Sequence, residues 1–214
     1  MLWASQPGAL LASLRLHLVD TSQGMIDKAR EALVRTAASF TLQVASIEEL
    51  PFPSGYFDVA VANHMLYHVE DLPRGIAEVA RVLKPGGVLY ASTNGANHMG
   101  ELQTWMREAR LPTWHFMQGI VRRFGLENGA ALLGTRFPEI KLYRHDESLL
   151  VPEIRPVLDY AESIFNAQAG PTSQGMQALA SVLEMELRSR GVLTIALESG
   201  FFECRGHVPT GGVT

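Results

Sequence analysis

The chain has 214 residues, 47% of them apolar and 19% charged, the profile of a globular protein that fits one domain of generous size. Eighteen Lys and Arg against twenty-two Asp and Glu leave a net charge of −4 with no dense basic run, which excludes the electrostatic footprint of a nucleic-acid binder. The single cysteine, Cys204, excludes an intramolecular disulfide and a cysteine-only metal cluster, and no run of about 18 uncharged apolar residues marks a membrane span. The opening stretch to Leu14 is uncharged, but it lacks a positive n-region and holds Pro7 and Gly8 within its apolar part. A reducing, cytoplasmic setting is expected rather than secretion.

Leu16 to Val19 reads as a strand that stops at Asp20. Thr21-Ser22 offers a helix cap, after which Met25, Ala29, Ala32 and Leu33 recur at helical spacing. A second strand, Phe40 to Val44, runs into the turn-rich Leu50-Pro51-Phe52-Pro53-Ser54-Gly55. The third, Phe57 to Ala62, is nearly all apolar, as a strand covered on both faces should be. The next helix has Asp71 to cap it, Pro73 in its first turn and a stripe of Ile76, Val79, Ala80 and Leu83. Lys84-Pro85-Gly86-Gly87 closes that helix, and Val88 to Thr93 follows as a strand. Strand–helix–strand alternation with short links argues a parallel, doubly wound α/β sheet.

From Asn94 to Gly191 the text becomes mostly helical and rich in Met, Trp and Phe, with a strand pair around Ile140–Tyr143 and Leu149–Val151. Val192 to Leu197, Ser199-Gly200 and Phe201 to Cys204 then read as an antiparallel hairpin on the edge of the main sheet. The organisation expected is one domain over residues 1–205: a core at 1–94, a helical cap at 95–191 and a closing hairpin at 192–204. The tail at 205–214, with Gly206, Pro209, Gly211 and Gly212, is expected to be mobile.

In open parallel sheets, ligands sit outside the carboxyl ends of the strands. Those ends are Asp20, then Ala45-Ser46-Ile47, then Asn63-His64, then Asn94. A carboxylate directly after a strand suits the paired hydroxyls of a ribose, because it has acceptor sites for both. Position alone equally allows Asp20 to cap the following helix. These residues point to a nucleotide-type ligand without selecting S-adenosylmethionine over NAD.

Four motifs occur in order: Val19-Asp20-Thr21-Ser22-x-x-Met25; Glu48-Glu49-Leu50-Pro51-Phe52-Pro53; Phe57-Asp58-Val59-Ala60-Val61-Ala62-Asn63-His64; and Val82-Leu83-Lys84-Pro85-Gly86-Gly87. Together they resemble the class I S-adenosylmethionine-dependent methyltransferases, the type 11 group of small-molecule enzymes in particular. The resemblance is tight over residues 16–93 and looser beyond. It implies a Rossmann-like fold, S-adenosyl-L-methionine as cofactor, and a small-molecule methyl acceptor, with neither nucleic acid nor membrane as partner. By the same resemblance Asp20 holds the ribose hydroxyls and Thr21, Ser22 and Met25 line the adenosine pocket. Ser46 and Ile47 lie beside the adenine, where Ser46 stands in place of the family's usual acid. Asn63 and His64 flank the methionine part and the transferred methyl.

One departure matters. In this family an acid-terminated first strand and a glycine-rich loop precede the helix that leads to Asp20. Here Met1-Leu2-Trp3-Ala4 aligns with that helix, so the strand and loop are expected to be absent, and Gly8 lies too late to replace them. The missing strand is central in the family's sheet. Its loss is expected to leave Leu16–Val19 and Phe57–Ala62 each with an unpaired edge, unless Met1–Leu14 fills the gap. A non-catalytic scaffold or partner-binding module is therefore the rival reading, and the open edges leave a homodimer as an option.

Methyl transfer from a sulfonium needs positioning and desolvation, plus a base where the acceptor must lose a proton. The base role suits His64, beside a strand end; a purely structural role for His64 and His68 stays open. Four residues apart, those two would share a face on one helical turn, but Met65 stands where a metal-binding HExxH has glutamate, so no metal is expected. His98, Trp105, Trp114, His115 and Phe116 either line an acceptor pocket or form plain cap core. Glu127-Asn128-Gly129 reads as a helix-terminus feature, Arg122-Arg123 as a solvated face and Cys204 as inert.

Overall fold

The computed structural model describes residues 14–33, 39–111, 119, 121–166 and 173–206. Strand β1 (Arg15–Asp20) and strand β2 (Ser39–Val44) pair in parallel, with helix α1 (Gln23–Leu33) between them in sequence. Four further strands form a second sheet in the order β3 (Phe57–Asn63), β4 (Leu83–Asn94), β6 (Leu193–Arg205) and β5 (Glu139–Val151). β3 and β4 run parallel, whereas β6 is antiparallel to both β4 and β5. Among the described residues no ladder joins β1 to β3, so the sheet is divided at the place where the family's central strand is expected.

α1 starts where Ser22 Oγ accepts from Met25 N at 3.3 Å, the cap expected there. Its buried side chain is Ile26, not Met25, which is 52% exposed; the inward stripe therefore runs Ile26, Ala29, Leu33 and turns Met25 toward solvent. Helix α2 (Leu72–Val82) forms as its sequence demands. Asp71 Oδ1 accepts from Arg74 N at 3.1 Å, Pro73 occupies the first turn, and Ile76, Val79 and Ala80 are buried. Arg81 of α2 donates to the carbonyls of Leu50 and Phe52, while Glu78 accepts from Leu50 N. The Leu50-Pro51-Phe52-Pro53 motif is thus a brace, held by a half-buried Arg81–Glu78 pair.

Lys84-Pro85-Gly86-Gly87 is a bulge in β4 rather than a connection before it. Register with β3 jumps from Phe57↔Leu83 to Val59↔Val88, Gly86 has φ +80°, and a Cβ on Gly87 would lie 2.9 Å from the Lys84 carbonyl.

The C-terminal half corrects two expectations. Residues 139–151 form one continuous strand, not a strand pair, and it belongs to the main sheet rather than to a cap. Likewise no hairpin turns at Ser199-Gly200: β6 is a single 13-residue strand. Gly200 is there because a Cβ would lie 2.5 Å from the Tyr143 carbonyl on the neighbouring strand, so it serves close approach of backbone, not a turn. The helical part of the cap is α3 (Gly100–Glu108), α5 (Arg155–Asn166) and α6 (Ser173–Arg190), with the short α4 (Gly129–Leu133) under the sheet.

Two apolar cores result among the described residues. One packs Ala62, Leu89, Ala91, Phe202 and Cys204 of the sheet against α2, Phe124, Leu133 and Phe137. The other joins Leu102, Trp105 and Met106 of α3 to α5, α6 and the first residues of β6. The opposite face of β3 is not covered as its apolar sequence suggested. Val59 and Val61 are 50% and 65% exposed, because the helices packed on this sheet among the described residues, α2 and α4, lie on the other side. Val61, Asn63, Tyr90, Ser92 and Phe201 line an open groove of about 330 Å³ there.

Candidate active site

The carboxyl ends of β1, β2, β3 and β4 carry the polar residues that sequence reading singled out. Asp20 ends β1, and its Oδ1 accepts from Ser22 N at 2.8 Å, turning the chain into α1. Both roles left open for Asp20 are therefore compatible: one oxygen shapes the turn, while Oδ2 has no hydrogen-bond partner among the described residues. Thr21, Ser22 and Met25 follow as an exposed rim. Ala45 N donates to Asp20 O at 3.1 Å, so the end of β2 is tied beside Asp20 and brings Ser46 and Ile47 with it.

Ser46 Oγ accepts from Glu48 N at 3.1 Å, which commits the hydroxyl to its own turn. Ile47 turns its side chain inward against Gly75 of α2, leaving its backbone for any ligand. Glu48 has a role that sequence reading did not assign. Its Oε1 accepts from Glu70 N and Asp71 N, both at 3.0 Å, pinning the segment ahead of α2. Arg123, exposed like Arg122 as the solvated-face reading expected, also pins the same segment by donating to Val69 O at 2.6 Å.

At the end of β3, Asn63 Oδ1 accepts from Ser92 Oγ at 2.6 Å across to β4. His64 N donates to the same hydroxyl at 3.0 Å. His64 has φ +48°, a left-handed conformation at the end of the strand. Burial pushes the His64 imidazole below its ordinary value, and the nearby His98 lowers it further. His64 and His68 do not share a helical face, since that left-handed residue is followed by a 3₁₀ turn at Leu66–His68. Among the described residues no group of three His, Cys, Asp or Glu could hold a metal.

His98 lies in the loop after β4 and is held by its Nδ1 at 3.0 Å from Glu198 O. Trp105 is plain core of the cap, buried in α3; Trp114, His115 and Phe116 lie outside the described residues, as do Met1–Ser13 and most of the tail. Asn128 accepts from Gly125 N and donates to Arg122 O, a turn at the start of α4, as Glu127-Asn128-Gly129 suggested. Cys204 is fully buried and its thiol is pushed up to about 12, chiefly by that burial.

Asp20 at the end of β1 and Asn63-His64 at the end of β3 lie at strand carboxyl ends, where folds of this Rossmann-like kind bind their ligands. Residues 4–91 match the methyltransferase domain family. It is 27% identical over 199 residues to a biotin biosynthesis bifunctional protein of Saccharophagus degradans, covering 88% of this chain and 35% of that protein. It is 36% identical over 88 residues to a malonyl-[acyl-carrier protein] O-methyltransferase of Serratia marcescens, covering 41% of this chain and 33% of that one. The matches thus span about a third of the length of these curated relatives. The YcgJ protein of Bacillus subtilis has the same fold, with a TM-score of 0.55 at 17% identity over 91% of this chain and 82% of its own. A SAM-dependent methyltransferase of Methanosarcina mazei likewise superposes with a TM-score of 0.52 at 19% identity, over 92% and 85%.

Proposed function

We propose that this protein transfers a methyl group from S-adenosyl-L-methionine to a small-molecule acceptor. The observation that carries this reading is Asp20: a carboxylate at the end of a parallel strand, with one oxygen spent on the turn and the other left for ribose hydroxyls. The residues present fit the nucleoside end of that cofactor. Thr21, Ser22 and Met25 form the rim against which the adenosine rests, and the Ile47 backbone, beside Ser46, meets the adenine edge. Asn63 and His64 sit where the methionine part and the reactive methyl belong.

When bound, the cofactor supplies an electrophilic methyl on a sulfonium. The protein's own contribution is orientation and exclusion of water. Asp20 anchors one end, and the Asn63–Ser92 hydrogen bond fixes the geometry at the other. The relative named for biotin biosynthesis supports a small-molecule acceptor. A cytoplasmic setting is consistent with the absence, among the described residues, of any helix long and apolar enough to cross a membrane.

Calorimetric titration with S-adenosylhomocysteine tests the reading. Binding in the micromolar range, about −8 kcal/mol, is expected for the chain as it stands. Asp20→Asn keeps the acceptor for Ser22 N, so its melting temperature should be unchanged. It removes the anionic acceptor for the ribose, so affinity should fall by about 1.5 to 3 kcal/mol, roughly ten- to hundredfold. A folded protein that does not bind at all would leave the scaffold reading in its place.

A further inference from the structure

The loop between β4 and α3 is held far more firmly than a simple connection requires. Gly95 N donates to Glu198 O at 3.0 Å, Ala96 N to Glu127 Oε1 at 3.0 Å, Asn97 N to Glu198 Oε2 at 3.1 Å, and Met99 N to Ala196 O at 2.8 Å. His98 N closes the loop on Gly95 O at 3.2 Å. Every amide from Gly95 to Met99 is therefore engaged, and Met99 at φ +57° is forced into the left-handed region to make it so. The titratable side chain that this arrangement carries at the end of β4 is the half-buried His98. Rigid support around a single titratable ring is what a proton-transfer site needs.

The ring's chemistry is set by its partner. Glu198 O is a carbonyl and can only accept, so His98 Nδ1 carries the hydrogen and donates it at 3.0 Å. Nε2 is then the basic nitrogen, with no hydrogen-bond partner among the described residues. His64 reaches the same region from the end of β3, but among the described residues its ring has no hydrogen-bond partner to orient it, and a base held by a third group is the arrangement that general-base catalysis uses. From this geometry we infer that His98, not His64, is the proton acceptor of the site, its Nδ1–H locked on Glu198 and its Nε2 turned to the methyl acceptor. This rests on the methyltransferase reading above.

The step balances without a further reactant. The acceptor's O–H, N–H or C–H proton passes to Nε2, and the electron pair it leaves forms the new bond to the methyl carbon. The pair of the broken carbon–sulfur bond stays on sulfur, giving a neutral thioether, and the imidazolium returns its proton to water. Burial holds His98 below its ordinary value, so the ring is neutral near pH 7, while the Glu198 carbonyl and carboxylate pull the other way. The charged or titratable groups facing it are His64 from β3, Glu198 from β6 and Glu127 ahead of α4.

The test needs no acceptor. Long-range ¹H–¹⁵N NMR of the full chain should find His98 as the Nδ1–H tautomer. In His98→Asn, whose side-chain amide can still donate to Glu198 O, the titration midpoint of His64 should rise, because a neighbouring positive charge has gone. Carbethoxylation of His98 by diethyl pyrocarbonate should proceed in the free protein and be several-fold slower with S-adenosylhomocysteine bound. An Nε2–H tautomer, an unmoved His64 midpoint, or carbethoxylation unshielded by bound S-adenosylhomocysteine overturns the assignment of His98. Failure of S-adenosylhomocysteine to bind overturns the reading beneath it instead.

Discussion

His17 shows how one side chain reports on its surroundings. From β1 its ring stands edge-on to Phe52, Tyr56 and Phe57, with centroids 5.3 to 5.6 Å away. Its Nδ1 is buried and has no hydrogen-bond partner among the described residues. A buried unpaired nitrogen costs about 1 to 3 kcal/mol, so His17→Leu should raise stability by about 1 kcal/mol or more, measured by urea unfolding. Asp20 works in the opposite sense: its unpartnered oxygen is exposed to solvent and to a ligand, so it carries little penalty and remains available. At this scale much was legible. An acid after a strand, a serine as helix cap and Asp71 ahead of Pro73 each act through neighbours three residues away or fewer, and local chemistry alone decides them. Glu48 and Arg123 were not legible, because their partners lie 22 and 54 residues distant in the chain.

Among the elements, α2 is the best supported, and its entry depends on Glu48. Removing that carboxylate frees two amides, so Glu48→Ala should lower stability by about 2 kcal/mol, while Glu48→Gln, which keeps an acceptor, should lose less than half of that. Strand β3 offers a sharper contrast between its two faces. Ala62 is 4% exposed and packs under α2, whereas Val61 is 65% exposed. Ala62→Lys should cost more than about 3 kcal/mol, and Val61→Lys about 0.5 kcal/mol or less, by chemical denaturation. Equal losses would show that something covers the Val61 face in solution. The two-sided cover that Phe57 to Ala62 suggested follows from composition, since an apolar strand sequence is the same whether one or both of its faces are met by a helix.

Across the whole molecule, the neutral His64 and His98 link stability to pH. Both are held below their ordinary value near 6.5, in each case chiefly by burial. The unfolded chain therefore binds more protons than the folded one as the pH drops below about 6.5, and stability falls with it. The urea midpoint should decline between about pH 7 and pH 5.5, and the double variant His64→Asn, His98→Asn should flatten that decline. The carboxylates lowered by ion pairing, Asp58, Glu78 and Glu203, act at lower pH and leave this window alone.

By itself the sequence determined the alternation of strand and helix through Asn94, the caps and stripe of α2, and the strand-end positions of Asp20, Ser46, Asn63 and His64. Each of those depends on periodicity and on contacts a few residues long. The open edges of β1 and β3 were expected from the sequence, but only the tertiary structure decided that β6 enters between β4 and β5. It alone showed β5 and β6 as unbroken strands, with Gly200 inside one of them, and it alone brought His98 to His64. These are matters of which backbones approach one another across a hundred residues of chain. A glycine in a turn and a glycine pressed against a neighbouring carbonyl are written with the same letter.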